Sequence, residues 1–149
     1  MDPEEDHPPP IGILLFGESF LKAAEFLQES IQNGPLRLRF DAPVYQLLTH
    51  SIELMLKAYL RAQGISAEDL RVKYGHGLQK LYAACGEAGL ILSRDERVRA
   101  DILIDWVGQI GKLHDFRYFA MGYKQYPGIQ DLERLGRELF AAIMPHCDH

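Results

Sequence analysis

Apolar residues recur at steps of three and four along most of the chain and nowhere alternate with a period of two, which predicts helices and no sheet. Over residues 13–32, Phe16, Phe20, Ala23, Ala24, Leu27 and Ile31 mark one side and Glu18, Lys22, Glu25 and Glu29 the other. Asn33, Gly34 and Pro35 stop this amphipathic helix. Residues 42–63 form the strongest element, with Pro43 suited to a first turn and Gly64 to the exit. At 100° per residue, Gln46, His50, Glu53, Lys57 and Arg61 fall within about 80° of one another. The rest of that helix is apolar or small, as a central helix would be. A shorter helix over 76–88 carries Leu78, Leu81, Tyr82 and Cys85. Ser93 and Glu96 then form a capping box that starts a fourth helix near Arg94, with Val98, Ile102, Leu103, Trp106 and Val107 inside it. A last helix over 129–144 repeats Leu132, Leu135, Leu139 and Ile143 before Pro145. The expected architecture is an all-α, up-and-down helical bundle of about five helices.

Composition keeps that picture and narrows the setting. With 149 residues, 47% hydrophobic and 25% charged, the chain has the size of one domain with one core. The tripled proline Pro8–Pro10 and four acids among the first six residues predict a disordered tail over 1–12, a bundle over 13–144 and a flexible segment over 145–149. The formal charge of −5 comes mostly from that tail, because residues 7–149 hold 17 acidic against 16 basic groups. Any contact with nucleic acid must therefore use a local basic patch. Cys85 and Cys147 imply no disulfide framework, and no apolar run approaches the length of a membrane span. A cytoplasmic protein without membrane contact is the expectation.

Three groups of residues are candidates for chemistry. His50, Glu53 and Lys57 stand at i, i+3 and i+7, a spacing that holds an imidazole beside a carboxylate and an ammonium. The plainer alternative is a solvated face of charged residues. The segment 112–128 interleaves Phe116, Tyr118, Phe119, Tyr123 and Tyr126 with Lys112, His114, Arg117 and Lys124, a mixture that stacks bases and holds phosphates. If the fourth helix runs past Gly111, Arg117 needs a partner, and Glu53 is the first to consider. Third, Arg71 and His76 match Arg-x4-His, a pair able to take a proton from a 2′-hydroxyl and steady the phosphorane, given a bend at Gly75. Its alternative is that His76 starts the third helix. His146, Cys147 and His149 could ligate metal only on a chain end lacking a rigid frame, so neither a metal nor a cofactor is expected. No phosphate-binding loop, dinucleotide fingerprint or H-E-x-x-H is present.

The run His50-Ser51-Ile52-Glu53-Leu54-Met55-Leu56-Lys57-Ala58-Tyr59-Leu60, followed by Gly64 and by Tyr74-Gly75-His76-Gly77-Leu78, resembles the HEPN domain family (higher eukaryotes and prokaryotes nucleotide-binding). The likeness extends over roughly residues 13–144 and takes in Arg117-Tyr118 and Tyr126-Pro127-Gly128. It implies a compact helical bundle, a homodimer, and work in toxin–antitoxin pairs, defence or RNA processing, with a nucleotidyltransferase-like antitoxin as a partner. Active members are similar in carrying Arg-x4-6-His near their last core helix. Here the Arg-x4-His lies earlier, at Arg71 and His76, and the late segment has His114 and Arg117 in reversed order. The resemblance thus implies an interaction module that binds a nucleotide, RNA or a partner protein through His50, Glu53, Lys57, Lys112, Arg117, Tyr118 and Lys124, without the family's ribonuclease activity. The alternative is a metal-independent endoribonuclease using His114, Arg117, Arg71 or His76 in a variant site.

Overall fold

A computed structural model of the chain describes residues 7–113 and 127–148. Six helices make up the described residues, without a strand: α1 (Pro10–Gln32), α2 (Ala42–Ala62), α3 (Ala67–Asp69), α4 (Leu78–Glu87), α5 (Arg94–Leu113) and α6 (Ile129–Cys147). The all-α class follows. The sixth element is α3, a single turn in the connector after α2, where no helix was expected. Ser66 caps it, its Oγ accepting the Asp69 backbone N–H at 3.0 Å.

α2 is central. It packs on α1, α4 and α6, while α5 closes the bundle against α4 and α6. Val44, Leu48, Ile52, Met55, Leu56, Tyr59 and Leu60 of α2 are buried among Leu14, Leu21 and Ala24 of α1, Leu81 and Cys85 of α4, Leu103, Ile104 and Val107 of α5, and Leu132, Leu135, Leu139 and Ile143 of α6. α1 and α2 meet closely at Gly17, where an added Cβ would lie 3.2 Å from Leu54 Cβ, Met55 Cγ and the Ser51 carbonyl oxygen. The buried Ser51 hydroxyl donates to the Gly17 carbonyl at 2.6 Å and ties the two helices there.

Several boundaries differ from expectation for local reasons. α1 begins at Pro10 rather than at residue 13, because proline in a first turn lacks only an N–H that has no helical partner anyway. α6 passes through Pro145 to Cys147, so 145–147 do not belong to a loose end. Pro145 forfeits one bond of the last turn, but Leu139, Ile143 and Cys147 repeat every four residues against the core and hold that turn in place. α5 does begin with the anticipated capping box: Ser93 N–H donates to Glu96 Oε1 at 2.8 Å, and Glu96 N–H donates to Ser93 Oγ at 3.2 Å. It continues to Leu113 rather than ending near Gly111.

Candidate functional site

The polar seam of α2 is not an ordinary wet face. Glu53 is 6% exposed, although it carries the only charge among the buried side chains of the described residues. Its neighbours explain how it is tolerated. Lys57, one turn on, donates to Oε1 at 3.2 Å, and His50 Nδ1, one turn back, meets Oε2 at 3.1 Å. The i−3 and i+4 spacing legible in the sequence brings these groups together.

The third neighbour is His76, whose Nδ1 lies 2.5 Å from Glu53 Oε1. It comes from outside α2, and local backbone geometry delivers it. α3 runs directly into a π-helical turn, Leu70–Tyr74, in which Gly75 N–H reaches back to the Leu70 carbonyl at 3.1 Å. Such wide turns are rare and concentrate at functional positions. Gly75 then takes φ 53° and ψ −119°, a conformation open in practice to glycine alone. The bend at Gly75 that an Arg71–His76 pair would require is therefore present, but it turns His76 toward Glu53. α4 starts only at Leu78, so His76 precedes the helix it was expected to open. Replacing Gly75 by alanine should cost about 2 kcal/mol through backbone strain. A melting temperature lowered by roughly 4–8 °C in a thermal scan, with little change in helical signal, is the expected readout.

Electrostatics agree with the geometry. Burial, the largest effect on Glu53, would push its carboxyl up. The positive charge of Lys57, with hydrogen bonds from His76 and His50 and the charge of His76, more than reverses it and holds the group below the usual carboxylate value. Glu53 is thus ionised at neutral pH and accepts from all three partners. Both imidazoles must donate from Nδ1, which leaves Nε2 of each ring as the outward nitrogen. The His76 side chain is 87% exposed, that of His50 41% and that of Lys57 20%, so a buried anion carries a cationic or protonatable rim that faces solvent.

Aromatic surface adjoins that rim. The Phe20 ring stands edge-on to the His50 ring at 4.6 Å between centroids, and Phe16 follows at 5.0 Å from Phe20. Phe16 is 55% exposed. The chain matches no family model, no curated protein and no solved structure. What the site can do is therefore read from its own atoms.

The sequence candidates divide accordingly. His50, Glu53 and Lys57 come together, and His76 joins them. Arg71 does not take part in the Glu53 cluster: its guanidinium pairs with Glu68 at 3.8 Å on an exposed surface. Lys112 falls in the last turn of α5, while His114, Arg117, Tyr118 and Lys124 lie outside the described residues. Both oxygens of Glu53, the partner first considered for Arg117, are engaged by His50, Lys57 and His76. Cys147, one of the terminal residues weighed as metal ligands, points its thiol at the Ala58 carbonyl, and the His146 ring stacks edge-on against Tyr59 at 5.2 Å. Sequence reasoning missed the convergence of His76 on Glu53. Its one signal was Gly75 beside a histidine, following a helix with an acid on its polar seam.

Proposed function

We propose that the chain is a HEPN-like interaction module that binds a nucleotide or RNA through the Glu53 cluster, without the family's Arg-x4-6-His ribonuclease site. The observation that carries this reading is the cluster itself, in which one buried carboxylate fixes Lys57, His50 and His76 on an open surface beside Phe20 and Phe16. Ammonium and imidazolium groups hold phosphate oxygens, and exposed phenyl rings accept stacked bases. The all-helical bundle supports the same reading, as does the run from His50 to Leu60 that resembles the family. With it go a cytoplasmic homodimer and, as alternative ligand, a toxin–antitoxin or defence partner such as a nucleotidyltransferase-like antitoxin.

Fluorescence anisotropy with short labelled RNAs at two salt concentrations tests it. Affinity should fall with salt, with a log–log slope of about −0.7 for each phosphate held, and His76→Asn combined with Lys57→Gln should weaken binding at least tenfold. Binding that ignores salt, or that survives the double change, would overturn the nucleic-acid reading.

A second reading, a metal-independent endoribonuclease, is favoured by one specific feature. Because Glu53 engages both rings through Nδ1, two Nε2 atoms are presented beside an ammonium, as proton transfer to and from a ribose hydroxyl and a leaving oxygen requires. RNA cleaved in the presence of EDTA by the wild type, and not by His76→Ala, would establish it. An inert wild type would remove it.

A further inference from the structure

Counting charge at the cluster narrows the ligand further. Glu53 supplies one negative charge and Lys57 one positive, so with both imidazoles neutral the cluster sums to zero and offers an anion little. Protonating His50 and His76 takes it to two positive charges, matching a terminal phosphate monoester, which carries about −1.5 to −2 at neutral pH. An internal phosphodiester carries one negative charge and would leave part of that field unanswered. The imidazoles are the only groups here whose charge ordinarily changes between pH 5 and 8, and Nδ1 of each lies within hydrogen-bond distance of the Glu53 carboxylate.

Surrounding elements leave this sum unchanged. On α1, Glu18 is paired with Lys22 at 3.3 Å, and the ring against His50 is that of Phe20. In the π-helical turn, Lys73 pairs with Asp69 and Arg71 with Glu68. On α6, Glu138 is paired with Arg99 and Arg134, and Arg137 with Glu25 of α1. On α4, the Lys80 side chain lies beside Gly77, and its charge is not among those acting on Glu53. The charges acting on Glu53 among the described residues are those of Lys57 and His76, with His50 as a hydrogen-bond partner.

Resting on the nucleotide or RNA reading above, we infer that the Glu53 cluster is a proton-coupled site for a terminal phosphate monoester, with His50 and His76 taking up protons as the ligand binds and Phe16 and Phe20 receiving its base. The ligand class is a nucleoside monophosphate or the phosphorylated end of an RNA, not the interior of a strand. The single carboxylate that both rings share makes the two protonations and the phosphate mutually dependent. Binding strength therefore rises as pH falls through the imidazole range.

The test is calorimetric titration of the full chain at pH 7.5, where a monophosphate is already mostly dianionic, in two buffers of different ionisation heat. The ligands are AMP, ribose 5-phosphate and the dinucleoside monophosphate ApA, which has bases and a diester but no terminal phosphate. AMP should bind at least tenfold more tightly than ApA and about fivefold more tightly than ribose 5-phosphate, the least that one stacked base contributes. The buffer dependence should show net proton uptake, and AMP affinity should drop roughly tenfold between pH 6 and pH 8. His50→Asn and His76→Asn keep a hydrogen-bond donor for Glu53 but cannot be charged, so each should reduce the uptake, and a melting scan confirms that they fold. AMP binding without proton uptake, or ApA binding as tightly as AMP, overturns this inference while leaving salt-dependent RNA binding intact. AMP affinity no greater than that of ribose 5-phosphate overturns the role given to the phenyl rings. Absence of binding by both AMP and labelled RNA overturns the inference together with the reading it rests on.

Discussion

Glu53→Gln should unfold at a markedly lower urea concentration than the wild type at pH 7, with a loss of about 3 kcal/mol. Removing one member of a buried charged cluster leaves its partners uncompensated, and that cost exceeds the worth of an exposed pair. Lys57 is 20% exposed, so its ammonium is largely withdrawn from water where it pairs with Glu53. The amide keeps the shape of the carboxylate, so the loss reports charge rather than a cavity. Acid distinguishes this from a packing defect. The folded carboxyl titrates below its ordinary value of 4.5, so the wild type's advantage is complete above that value and is lost as pH falls through the lower, folded one. Urea midpoints of the two proteins should therefore converge as pH is lowered from 5 toward 3. A gap that stays constant over that range would show that ionisation of Glu53 contributes nothing to the fold.

Gly17→Val should be nearly as damaging, at about 2 kcal/mol, and for the opposite reason. Helix propensity favours the change slightly, since glycine inside a helix is worse than most residues. Against that, the added Cβ already approaches the Ser51 carbonyl, Leu54 and Met55 at 3.2 Å, and the two further methyls have no space without pushing α1 off α2. The Ser51 hydroxyl would then lose its bond to the Gly17 carbonyl and leave buried polar groups unsatisfied. A melting temperature lower by roughly 4–8 °C is the expected measurement, and Ser51→Ala should account for part of the loss alone. If Gly17→Val melted with the wild type, α1 and α2 would not approach as closely as they do here.

Much of the fold is legible because it rests on period and punctuation. The stripe from Val44 to Leu60 identifies α2 as central, the Ser93 and Glu96 capping box starts α5, and Gly64, at φ 95°, ends α2 where expected. Less legible were features in which tertiary packing overrides local preference. Pro145 reads as a stop, yet the burial of Cys147 carries the helix past it. The connector between α2 and α4 reads as loop, yet Ser66 caps a turn that widens into a π-helical one. The candidate site divides the same way. Spacing on one helix was enough to join His50, Glu53 and Lys57. His76 stands 23 residues from Glu53 in sequence, and only the exact rotation at Gly75 decides whether its ring faces that carboxylate or solvent.

The two thiols draw one more consequence from the way α2 is enclosed. Cys85 of α4 lies against the Leu56 carbonyl and Cys147 of α6 against the Ala58 carbonyl, so two helices rest sulfur on carbonyls two residues apart on the same rod. Burial pushes Cys85 up to about 12 and Cys147 upward as well, which silences both toward alkylating reagents, because the thiolate is the species that reacts. Each sulfur thereby serves as an intrinsic clock. The rate at which Cys85 is alkylated times the lifting of α4, that of Cys147 times the peeling of the chain's final turn, and their ratio tells whether the molecule opens piecemeal or all at once.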